Sequence, residues 1–232
     1  MTELGIHAFN AGISGHVVAP DLGSSGTTVT TRNMGLGDDM GPGVRLQSGF
    51  LDGFVLDAYQ LSQNGYGSVE VDGFDVPIDN ADLEILVGRM AWRRRLVGGD
   101  TTGLGFQAGL VPVDYRLSLQ MAGDPEPIDF TAPIPMAGLV LGIATPAPEG
   151  SNVHMLRGEI SAMGMRGSYG DASGAFLDAE ARVIFRPWRL CSFWAGWRHT
   201  SLDGNLDLGD LGSNIDVDLL IEGITFEVSI GF

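Results

Sequence analysis

The sequence predicts an all-β fold: a transmembrane antiparallel up-and-down β-barrel of ten strands, with eight as the fallback count. Three observations carry that expectation. Apolar residues alternate with period two, the connections alternate between short and long, and aromatic residues gather at the two ends of the alternating segments.

The alternation is clearest at the C-terminus, where Ile224, Phe226, Val228, Ile230 and Phe232 are separated by Thr225, Glu227, Ser229 and Gly231. A strand with two unlike faces produces this pattern. Leu177, Ala179, Ala181, Val183 and Phe185 likewise oppose Asp178, Glu180 and Arg182. Val44, Leu46 and Phe50 oppose Arg45 and Gln47, and Leu104, Phe106, Ala108 and Leu110 oppose Gly105, Gln107 and Gly109. Leu156, Ile160 and Ala162 oppose Arg157, Glu159 and Ser161. Two segments are noisier. Between 81 and 96 the apolar parity changes from Leu83 and Ile85 to Leu86, Met90 and Trp92, and in FVLDAYQL both faces are apolar. The ten expected strands are 3–18, 42–51, 54–63, 82–95, 102–115, 133–145, 152–165, 174–187, 190–203 and 213–232, in a single domain spanning 1–232.

Between them, LDG, VGGD, TPAPEG and PWR are short, whereas the intervening connections are mostly long, acidic and rich in Gly, Asp and Asn. Short turns at one end and long loops at the other are the plan of an outer-membrane barrel. The aromatic residues fit the same plan. Trp92, Trp188, Trp194, Trp197 and Phe232 fall near the short-turn end, and Tyr66, Tyr115, Tyr169 and Phe130 near the long-loop end. Two such belts are expected where rings sit at headgroup level.

Bulk properties narrow the choice. A formal charge of −16 argues against nucleic acid, whose phosphates need a basic surface. No apolar run of about 18 residues exists, which excludes a transmembrane helix and leaves a barrel untouched. The single cysteine, Cys191, excludes an intrachain disulfide. The first residues lack a basic n-region and apolar core, so the numbering is expected to start at a mature chain without its signal peptide.

The closing segment WAGWRHTSLDGNLDLGDLGSNIDVDLLIEGITFEVSIGF resembles the last hairpin of small Gram-negative outer-membrane β-barrels of the OmpA/OmpW-like superfamily, as FLDAEARVIFRPWRL resembles the preceding strand and turn. The resemblance implies an outer-membrane location. It also implies an assembly signal in Phe226, Val228, Ile230 and Phe232, read by the barrel-assembly machinery during insertion.

By parity, Arg45, Arg89, Arg157, Glu159, Asp178, Glu180, Arg182, Arg198 and Glu227 face the lumen, with Asp57 joining them if it points inward. Charges of both signs there predict an ion-paired plug, or alternatively a narrow, porin-like solute pore. Arg93, Arg94 and Arg95 are expected to reach inner-leaflet phosphates beside Trp92. His199 and Ser201 resemble the His-x-Ser of outer-membrane lipid A deacylases, but the residue after the serine is Leu202 where that pattern has asparagine, and no glutamate follows before Glu222. A ten-stranded omptin-like protease would use Asp and His pairs above the membrane, and none of the four histidines sits in the long acidic loops.

The expected function is therefore a non-enzymatic outer-membrane barrel with a structural or interaction role, open to serving as a subunit of a larger envelope assembly. The alternatives are the narrow pore and a small lipid hydrolase on His199 and Ser201. A soluble lipocalin-type barrel would need the opposite facing. No cofactor or metal is expected. The expected partners are outer-membrane lipids and lipopolysaccharide, and the acidic loops read as a solvated face, with divalent ions bridging them to lipopolysaccharide phosphates as the alternative.

Overall fold

The computed structural model describes residues 2–19, 27–121, 127–147, 154–169, 172–188, 190–207 and 214–232. Its strands form one antiparallel sheet that closes on itself. They are β1 (Thr2–Ala19), β2 (Thr27–Thr30), β3 (Asp38–Ser48), β4 (Gly53–Val71), β5 (Phe74–Gly98), β6 (Thr102–Met121), β7 (Ile128–Ala144), β8 (Leu156–Tyr169), β9 (Ala172–Trp188), β10 (Cys191–Asp207) and β11 (Asn214–Gly231). Consecutive strands pair, and β11 closes the ring against β1 in a register that sets Ile6 opposite Val228.

Eleven strands make ten staves. β2 pairs with β1 from His16↔Thr30 to Ala19↔Thr27, and β3 takes up the same side of β1 from Gly12↔Asp38 onward. Residues 31–37 leave the sheet between them, and Met34 and Leu36 tuck into the interior. The ten expected strands therefore correspond to the ten staves, with β2 as an unanticipated extension of the second. Both termini meet at the short-turn end, where the Thr2 and Phe232 backbones exchange hydrogen bonds of 3.1 and 2.9 Å.

The expected long loops need correction. Much of what reads as loop is strand. β4 and β5 run on to a two-residue turn at Asp72 and Gly73, whose φ angles of 49° and 83° suit an Asp-Gly hairpin. Val69 keeps the inward parity of β4 below it, and Ile78 faces inward after a bulge between Ile78 and Asn80 shifts the phase of β5, so the ladder continues where a loop was expected.

The two noisy segments have one physical cause: the apolar side of the wall changes midway while the backbone parity does not. On β5, Leu83, Ile85 and Val87 point inward, and so do Arg89 and Arg93 further down. On the outside, Glu84 near the loop end gives way to Leu86, Met90 and Trp92. β6 repeats the change, with Val111, Val113, Tyr115 and Leu117 inward above Gln107, and Asp114 and Arg116 outward above Leu110. The turn-end half is thus apolar outside and charged inside, and the loop-end half is the reverse. Burial of the loop-end interior removes apolar surface from water as an ordinary protein core does.

One seam is incomplete. β7 and β8 pair only from Ala137↔Gly164 to Ala144↔Arg157, although both strands continue toward the loop end. Pro133 and Pro135 occupy the unpaired part of β7, where the missing N–H groups cannot serve a ladder.

Candidate functional site

The turn-end interior is the part of the molecule with concentrated chemistry. Among the described residues, seven arginines (45, 89, 93, 157, 182, 186 and 198) face six carboxylates (Glu3, Asp57, Glu159, Asp178, Glu180 and Glu227), all buried. Alternation delivers them, because every second residue of each strand has only the lumen to occupy.

Some pairs join neighbouring strands, as Arg45–Asp57 and Arg182–Glu159 do, and others cross the lumen. Arg45 on β3 donates to Glu180 on β9 at 2.6 Å and to Asp57 on β4 at 3.0 Å. Arg89 on β5 reaches Glu180 at 2.7 Å and Asp178 at 3.2 Å. Arg198 on β10 holds Asp57 at 2.7 Å and Asp178 at 2.9 Å. Nearer the turns, Arg93 and Arg182 converge on Glu159 at 2.8 and 2.6 Å, and Arg186 pairs with Glu3. His7 lies 3.1 Å from Asp57, and Thr200 donates to Asp178 at 3.1 Å. Glu227 lies 3.8 Å from Arg45.

Above this network Phe9 meets Tyr59 edge to face at 5.0 Å between centroids, and the Arg198 guanidinium lies 4.5 Å from the Tyr59 ring. The apolar interior follows, with Leu61, Ile85, Val111, Leu117 and Met163 each no more than 1% exposed. Ion pairs thus fill the turn-end half of the interior and an apolar core the loop-end half. Such buried pairs hold strand register strongly, because removing one partner strands a charge in low dielectric.

The nine lumen charges expected from parity, Arg45, Arg89, Arg157, Glu159, Asp178, Glu180, Arg182, Arg198 and Glu227, are all buried in this interior, and Asp57 joins them. Glu3, His7, Arg93 and Arg186 were not anticipated there. For Arg93 this is a correction: it is 1% exposed and bound to Glu159, not extended toward a lipid phosphate, because it shares the parity of Arg89. Arg94 is exposed, and Arg95 pairs with Asp52 and Asp100 at the β5–β6 turn.

Two aromatic assignments are corrected as well. Trp194 is inward and 5% exposed, with the Arg182 guanidinium 4.1 Å from its ring, and so it is no interface anchor. Tyr115 is inward and 2% exposed, within the apolar upper core. Trp92, Trp188, Trp197, Tyr66 and Phe232 are outward and exposed, and the side chain of Tyr169 lies outside the described residues, as does that of Phe130. Phe226, Val228 and Ile230 project outward in line with Phe232.

On the outer face, β-pairing sets His199 opposite Glu222, with Nδ1 3.5 Å from the carboxylate, and His199 lies against Trp197 at 5.6 Å. Ser201 follows two residues on, with the same parity. Among the described residues no three acidic, His or Cys side chains gather as a metal site.

No family model and no curated protein sequence matches the chain. Among solved structures it is similar to the outer membrane protease OmpT of Escherichia coli, with a TM-score of 0.64 at 7% identity, covering 100% of this chain and 96% of that one. The toluene transporter TodX of Pseudomonas putida (10% identity, 99% and 88% covered) and a Pseudomonas aeruginosa FadL homologue (10%, 99% and 89%) align with TM-scores of only 0.28 and 0.31, too low to bear on architecture. The likeness to OmpT is one of fold: a ring of antiparallel strands of outer-membrane type.

Proposed function

We propose that the chain is an integral outer-membrane barrel whose lumen is a structural plug and whose work is done at its surfaces, with no catalytic role for the interior. One observation carries this reading: the apolar side of the wall switches from outside to inside midway along the strands. The outward residues Ile224 to Phe232 cover about 30 Å of strand at ~3.3 Å per residue, or roughly 23 Å of height at a tilt near 40°, close to the ~25 Å band of a transmembrane barrel. The loop-end half would then stand in water above the bilayer, with a soluble-type core inside it. Lipids and lipopolysaccharide contact the lower belt, and Phe232 ends the strand that the assembly machinery would read.

Reconstitution into a planar bilayer after a heat-modifiable gel shift tests the plug. A folded, inserted barrel with no steady conductance agrees with it. Discrete conductance altered by Glu180→Ala would favour the pore.

A second reading rests on the His199–Glu222 contact, which gives the histidine an acid partner that sequence spacing alone did not provide. With Ser201 on the same outward face, an ester hydrolase acting on lipid at the barrel wall is the alternative. Ester hydrolysis in mixed micelles that is lost in Ser201→Ala would establish it, and unchanged background turnover would remove it.

A further inference from the structure

Arg157 is the exception among the lumen arginines. The other six each donate to a carboxylate. Arg157 donates to no carboxylate among the described residues, although Glu159 and Glu227 act on it electrostatically from further off, and its Nε and Nη2 make no hydrogen bond. It is only 7% exposed. Its guanidinium lies 4.8 Å from the Phe50 ring and 5.4 Å from the Trp194 ring. Aromatic faces offset part of a cation's desolvation but accept none of its in-plane N–H bonds. Buried donors of that kind call for an acceptor.

The acceptor has a place to sit. A cavity of about 430 Å³ at the turn end is lined by Arg157, Phe50, Arg186, Arg95, His154 and Glu3, among others. Two of those arginines are already engaged, Arg186 with Glu3 and Arg95 with Asp52 and Asp100. Nε and Nη2 of Arg157 are sealed from solvent, and Nη1, which has no carboxylate bound to it, is left as the donor open to the cavity. A charge-assisted N–H of this kind is suited to an oxyanion.

We infer that this turn-end cavity is a binding site for a small oxyanion, carboxylate or phosphate, seated on Arg157. The site rests on the barrel's interior geometry and not on the membrane reading, so it is open to test in detergent solution.

The probe is inorganic phosphate, titrated calorimetrically into the refolded barrel at constant ionic strength, with chloride as the control. Saturable one-to-one binding, weakened at least tenfold in Arg157→Gln, is the expected result. No saturable binding, or equal binding by the variant, overturns the site. Should Arg157→Gln fail to fold, a wild-type lumen with Trp92, Trp188 and Trp197 changed to Phe leaves Trp194 as sole reporter. Its emission shifts saturably with phosphate if the site exists and is unmoved if it does not. Competition by dihexanoyl phosphatidylglycerol below its micelle concentration would identify a lipid headgroup as the natural source of the anion, and its failure to compete a water-borne one.

Discussion

Arg45 and Glu180 lie 135 residues apart in sequence and four staves apart in the ring, and they meet in the bore at 2.6 Å. With Arg89 and Arg198 they form a lattice in which each arginine ties together walls that no backbone ladder joins.

That lattice makes a strong prediction for stability. Arg89, 1% exposed, satisfies both Asp178 and Glu180. Arg89→Ala leaves two buried carboxylates short of a partner and is expected to cost about 3–5 kcal/mol, as breaking a buried pair does. Urea unfolding followed by the heat-modifiable gel shift measures it. A loss below about 1 kcal/mol would mean that the pairs are hydrated and the bore is not closed.

Trp194 and Trp188 lie close together in sequence and differ in surroundings. Trp194→Leu removes the ring beside Arg182, Arg157 and Arg45 and is expected to lower stability by about 2 kcal/mol or more in detergent. Trp188→Leu, at a site 65% exposed, is expected to change it by less than about 0.5 kcal/mol. Equal effects would contradict the inward placement of Trp194.

The β7–β8 seam predicts a local difference in dynamics. The amides of Arg166 and Gly167 have no β7 partner and are expected to exchange faster than those of Ile160 and Met163, which lie in the paired part. Replacing Pro133 and Pro135 with Val restores two donors and is expected to slow exchange at 165–167. Uniform protection across β8 in the native chain would show the seam to be closed.

Strand positions were legible because a lumen and an apolar exterior impose period two on nearly every stave. The reversal of the wall was not, since a change of environment along a strand looks like a loss of pattern. Leu83 and Leu86 read as a parity slip when the backbone in fact keeps its phase. The corrected residues were readable in principle. Trp194 shares the parity of Arg198, Tyr115 that of Gln107, and Arg93 that of Arg89, so position near a strand end outweighed facing where facing should have decided. The partners of the inward charges were beyond reach, because cross-lumen contacts such as Arg45–Glu180 depend on the stagger of the closed ring. Nothing in the sequence marked β2 or the departure of residues 31–37 from the sheet.

The most direct test of the two-zone wall is the accessibility of spin labels on its outer face, in a Cys191→Ser background reconstituted in lipid. Labels at Met90 and Leu110 are expected to relax with dissolved oxygen and to be shielded from a water-soluble nickel chelate, while labels at Glu84 and Asp114 show the reverse. Equal exposure of all four sites to the nickel reagent would contradict the account, because the apolar belt would then not lie in a bilayer.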